Sequence, residues 1–148
     1  MTPYIDITDA NEYFLTRYNV DSWDEASDVD KLRTLCEATT RIDRLNFIGK
    51  KNDQDQEYQF PRYDDTTVPI DIQYACAEIA FALLDGIEPE REIELLSMKS
   101  QGLASARSTY DRTFVPEHLL AGIPSSLAWQ YLKPYLIDPE NVTITRAT

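Results

Sequence analysis

The sequence predicts a mainly α protein: a helical bundle of about four helices, with a small β-hairpin or long-loop excursion and an extended C-terminal tail. Three observations predict it. Two segments place apolar residues at i, i+3, i+4 and i+7: Leu32, Leu35, Cys36, Thr39, Ile42 and Leu45 in one, and Ile72, Ala75, Cys76, Ile79, Ala80 and Leu83 in the other. Capping residues stand where such stripes begin. The 148 residues are 43% hydrophobic and 11% aromatic, enough for one packed core.

Taken in order, Thr8 or Asp9 is expected to start a first helix that runs to about Arg17 or Tyr18 and ends at Asn19, with Glu12 placed to close a capping box. Ser22-Trp23-Asp24-Glu25 reads as one short helical turn, with Trp23 as a lid on the core. Ser27 opens the clearest helix. Asp28 and Asp30 lie in its first turn, Arg41 and Arg44 lie near its end, as the helix dipole favours, and Gly49 closes it. Residues 50–68 (KKNDQDQEYQFPRYDDTTV) keep no helical period and predict an excursion, with a short strand over 57–60.

Pro69 suits the first turn of the next helix, which Asp85-Gly86 ends. Beyond residue 92 the pattern weakens, and Gln101-Gly102 reads as a hairpin turn. Residues 111–122 read as loop, and Ile123-Pro124-Ser125-Ser126 opens a last helix that Pro134 cuts or kinks. This gives a helical domain over 1–137 and an extended tail over 138–148. Within the tail Val142, Thr143, Ile144 and Thr145 alternate and are rich in β-branching, with no partner strand evident.

Composition narrows the function. The net charge of −12 makes a poor general DNA binder, because phosphate neutralisation dominates such binding. Residues 1–30 hold eight acids and the single base Arg17, whereas residues 31–51 hold six bases (Lys31, Arg33, Arg41, Arg44, Lys50 and Lys51) against Glu37 and Asp43. Opposed patches of this kind suit head-to-tail contact between copies.

Cys36 and Cys76 fall on apolar helix faces and read as small buried thiols. No catalytic, metal or cofactor site is expected. His118 is the one histidine, and four glycines leave no phosphate cradle or nucleophile elbow. No apolar run reaches the roughly 20 residues of a membrane span. The acidic start MTPYIDITDANEY lacks the basic segment of a signal peptide, so a protein that is cytosolic when made is expected. Tyr58, Phe60, Arg62 and Tyr63 are the residues whose arrangement could stack on a base.

The succession "YIDITDANEYF", "SWDEASDVDK", "ATTRIDRLNFIGKK", "QFPR", "VPIDIQYACAEIAFALL" and "IPSSLAWQYLKPYL", over about residues 4–136, resembles the head–tail connector (adaptor) proteins of long-tailed bacteriophages, a family often labelled DnaT-like. The resemblance implies a virion protein of the neck that forms a ring of about twelve copies beneath the portal, closed by heterologous contacts. Its partners would be further copies of itself, the portal protein and the neck (stopper) or tail-completion protein. Double-stranded DNA would pass through without specific binding. The family's extended C-terminal tail enters the portal or pairs with its strands, a role that maps onto Val142, Thr143, Ile144, Thr145 and Arg146. Phe60 and Arg62 occupy the family's aromatic-Pro-Arg position, where Trp is usual. With Tyr63, Lys50 and Lys51 they are candidates for subunit contact. Two alternatives stand beside the connector: a single-stranded-DNA-binding accessory protein, and an acidic inhibitor or DNA mimic.

Overall fold

The computed structural model describes residues 1–103 and 115–137, and within them the chain is mainly helical. The order is α1 (Ile7–Leu15), α2 (Asp21–Asp24), α3 (Asp28–Asp43), α4 (Ile70–Leu84), α5 (Pro89–Leu103), α6 (Glu117–Leu120) and α7 (Ser126–Leu132), which passes into a 3₁₀ turn over Lys133–Tyr135. α3, α4 and α7 form the centre of the bundle, α1 and α2 pack on it, and α5 packs on α6.

α4 is the axis. It is apolar on all sides, and a helix of that kind belongs inside. Residues 75–80 are all buried, α3 packs on one side and α7 on another. Ala75, Ala77, Ala80 and Ala82 keep the side chains short, so the neighbouring backbones approach closely. Leu35, Ala38, Thr39 and Ile42 form the buried stripe of α3. Thr39 Oγ1 donates to Leu35 O at 2.9 Å and accepts from the Tyr4 N–H at 3.0 Å, so the chain start is tied into the core. Trp23 is 1% exposed, as a lid should be. Its indole N–H donates to Asn11 at 2.9 Å, and Lys31 Nζ sits 5.0 Å from the ring centre.

Several boundaries differ from the expectation. Asp6, rather than Thr8 or Asp9, caps α1 by accepting from the Asp9 N–H at 2.8 Å, and the helix ends at Leu15. Ser22 does not cap α2; it donates to Asp85 instead, at 2.6 Å. Ser27 does cap α3, but that helix stops at Asp43, whose carboxylate accepts from the Tyr4 hydroxyl and from the Gln59 N–H at 3.3 Å. Gly49, at φ +89°, lies in the following loop. The Gln101-Gly102 hairpin is overturned. Pro89 opens α5 with Glu90 and Glu92 in its first turn, and the helix runs on through Leu103. Local turn chemistry yields there to a helix already begun.

Residues 57–60 form no strand, and the β-pairing among the described residues is two isolated antiparallel bridges, Phe47 with Leu136 and Lys51 with Arg62. One turn of the expected loop at 111–122 is helical, as α6. Asp85-Gly86 ends α4 as read, with Gly86 at φ +88° and the Ile87 N–H returning to Ala82 O at 3.0 Å.

Candidate interaction surface

The segment between α3 and α4 folds back onto the body and is organised by one side chain. Arg62 is 7% exposed, and its guanidinium donates to four backbone carbonyls: Ile48 at 3.0 Å, Gln59 at 3.1 Å, Gly49 at 2.6 Å and Phe47 at 3.4 Å. It also reaches Gln59 Oε1 at 3.0 Å and lies 5.9 Å from the Phe60 ring centre. A planar fork of five N–H donors suits such a carbonyl cage, whereas an ammonium could not span it. Phe60, 3% exposed, packs edge-on to Tyr4, Phe47 and Tyr135, and the Phe60-Pro61 peptide is cis. The Tyr63 N–H donates to Lys50 O at 2.9 Å and the Asn52 N–H to Pro61 O at 3.1 Å, which completes the bridge.

Above this strut lies an apolar shelf. Tyr63 adopts φ +55°, and its ring covers Gly49 so closely that a Cβ there would stand 2.2 Å from the hydroxyl oxygen. Only glycine fits beneath the ring. Tyr63 is 57% and Ile48 49% exposed, and with Asp65, Pro69, Pro134 and Tyr135 they border a cleft of about 230 Å³, Ile137 (37% exposed) following it in the chain. Scattered exposed apolar residues need no explanation; this group, seated on a rigid base, is the candidate contact site. The chain that follows α7 leaves from this shelf. The Ile48 N–H donates to Tyr135 O at 2.9 Å and the Ile137 N–H to Asn46 O at 3.0 Å, so Leu136 and Ile137 run antiparallel to residues 46–48.

The five residues named as subunit-contact candidates are thus divided. Phe60 and Arg62 are buried in their own chain and support the shelf from below. Tyr63 and Lys50 face outward, and Lys51 is half-buried with Nζ donating to Gln56 O at 3.3 Å. Val142, Thr143, Ile144, Thr145 and Arg146 lie outside the described residues. Sequence reasoning missed Ile48, Pro134, Tyr135 and Ile137, although "NFIGKK" and "LKPYLI" were visible as apolar residues beside turn formers.

A second polar cluster also escaped it. Glu78, 1% exposed, accepts from the Tyr13 hydroxyl at 2.6 Å and from Arg17 at 3.0 and 3.3 Å. Burial first, then hydrogen bonding to the Glu78 carboxylate, raises the Tyr13 phenol well above its ordinary value. Its signal was a lone Glu inside "ACAEIAFALL". The cluster is a clamp between α1 and α4, since every group in it is matched.

Several cations of the described residues are committed internally. Lys31 is 8% exposed and donates to Asn11 at 3.3 Å; Arg41 bridges Glu37 at 3.2 Å, Glu90 at 3.1 Å and Gly122 O at 2.8 Å. His118 Nδ1 is 2.8 Å from Ile123 O and so serves its own loop. Among the described residues no group of His, Cys, Asp and Glu is arranged to hold a metal, and no helix is long and apolar enough to cross a membrane.

Neither a curated protein nor a solved structure matches the chain. One family model does, over residues 2–98, which spans α1 to α4, the Arg62 cage and most of α5. This chain belongs to the family described as "Putative DnaT-like ssDNA binding protein".

Proposed function

We propose that this chain is a structural virion protein, a head–tail connector that sits as a ring beneath the portal, extends the DNA channel and docks the next neck component. The observation that carries this reading is the shelf. A buried arginine fixes four carbonyls, an exposed tyrosine and isoleucine rest on that base, and the chain toward residues 138–148 departs from its edge. A preformed edge beside a strand-prone segment favours addition of that segment to a partner's sheet, because little further ordering is needed at the point of departure. The net charge of −12 supports a channel rather than a grip, since a negative wall repels phosphates and lets DNA slide. Nothing in this role calls for catalysis.

The family description favours a second reading, single-strand binding. It requires exposed cations beside stacking rings. Arg62 and Phe60 face inward, leaving Lys50, Lys51 and Tyr63 for that task.

Mass photometry of the protein, alone and with the portal of the same genome, separates the two. The connector gives a multi-copy gain in portal mass that is lost when residues 138–148 are removed. Absence of that gain, together with oligonucleotide binding that weakens steeply with salt and on substitution of Lys50 and Lys51, would replace the connector by the single-strand binder.

A further inference from the structure

Two surfaces on opposite sides of α4 match one another. The first is a groove of about 530 Å³ between α1 and the start of α4. Asp9 and Glu12 form its acidic wall, and Tyr13, Tyr74 and Ile70 form its apolar floor, Ile70 being 54% exposed. Tyr13 and Tyr74 stack at 4.5 Å, and Tyr74 continues to Tyr131 of α7 at 6.0 Å, so the floor is a fixed aromatic row. The second surface is the outer face of α3, where Val29 is 58% and Leu32 45% exposed beside the exposed Arg33.

The helix geometry sets the directions. Cys76 faces α3 through Thr39, and Tyr74, two positions earlier, points about 200° away around α4. The groove therefore opens on the side of α4 away from α3, whose outer face looks the other way. One surface is acidic with an apolar floor; the other is an apolar ridge on which Arg33 stands between the exposed Asp30 and Glu37. A chain that displays both in opposed directions can join copies head to tail, the arrangement from which rings close.

We infer that the α1–α4 groove of one copy receives the Val29, Leu32 and Arg33 ridge of the next, with Arg33 set against Asp9 and Glu12. The inference rests on the ring reading above and names the contact that builds the ring. Salt-screened surface pairs are weak, but like charges placed face to face cost far more than opposite charges gain, so charge reversal is the sensitive probe.

The test compares the full-length wild type with Asp9→Lys/Glu12→Lys, with Arg33→Glu, with all three changes together, and with Leu32→Asn. Each is mixed with portal and weighed by mass photometry, and thermal melts check that each is folded. Each reversal alone, and Leu32→Asn, is expected to raise the concentration needed for the multi-copy mass by at least about tenfold, and the triple variant to recover most of it. Rings that form normally with either reversal would overturn this contact and leave the connector intact. So would a triple variant that stays as impaired as the reversals. Loss of all portal attachment in the groove variants, without recovery in the triple, would assign the groove to the portal instead. A wild type that never gives a multi-copy mass would remove both the ring and the contact.

Discussion

Arg62 lies under the shelf with four backbone carbonyls as its acceptors, all of which lose their donor when the guanidinium is removed. Arg62→Ala is expected to destabilise the fold by about 3–5 kcal/mol, the range for exposing partners of a buried charged group. Arg62→Lys, with one nitrogen for four acceptors, should recover less than half of that; urea denaturation measures both. Gly49→Ala sets a methyl group against the Tyr63 ring at a positive φ, for a loss of roughly 1–3 kcal/mol. Adding Tyr63→Ala relieves the clash but not the dihedral, so a double-mutant cycle should show partial rescue.

Asp43 titrates in the opposite sense to a salt-bridged carboxylate. Burial raises its pKa above the ordinary value, only partly offset by the hydrogen bonds from Tyr4 and Gln59. A raised acid binds its proton more tightly in the folded state. Its contribution is therefore full below the ordinary carboxylate pKa and is lost as pH rises through the raised folded value. Asp43→Asn, which can still accept both hydrogen bonds, should gain in Tm relative to wild type between pH 4 and pH 7. A constant difference across that range would show that burial does not govern this carboxyl.

At the scale of elements, α1 is held by its cap and by its clamp. Asp6→Ala removes the acceptor for the Asp9 N–H and should cost about 1 kcal/mol. Glu78→Gln leaves Arg17 and Tyr13 facing a neutral amide beside the core and should cost roughly 2–4 kcal/mol by urea denaturation. A loss no larger than that of the cap would mean that Arg17 turns to solvent without penalty.

The elements were legible where period and cap agree: Ser27 with Leu35, Thr39 and Ile42 of α3, the stripe of α4, and Gly86 after it; Leu32, expected in the buried stripe, is 45% exposed, and Pro69 stands one place before α4 rather than in its first turn. They were not legible where a tertiary partner decides. Asp43 ends α3 against Tyr4, a residue near the other end of the sequence segment, and no local pattern shows that contact. The same holds for the shelf. "QFPR" marked the right positions, but an arginine's sequence neighbours do not reveal whether it faces a phosphate or four carbonyls.

For the whole molecule, the segment 50–68 is polar in composition, yet it is built into the body before any partner arrives. In the free protein the amides of Ile48, Asn52, Tyr63 and Ile137 should exchange slowly with deuterium, because each donates to a backbone carbonyl of a paired segment. Exchange at the rate of an unstructured chain would mean that the shelf forms only on docking.

The two thiols differ in a way that supplies a built-in reporter. Cys76 is fully enclosed between α3 and α4, and burial pushes its thiol up to about 11, so it is closed to alkylating reagents while the fold stands. Cys36 lies half-buried on α3, one turn along from Leu32 and Arg33. A maleimide dye added to the native protein would therefore mark one helix face, and the rate of labelling would read whether that face is open or covered, with no engineered cysteine.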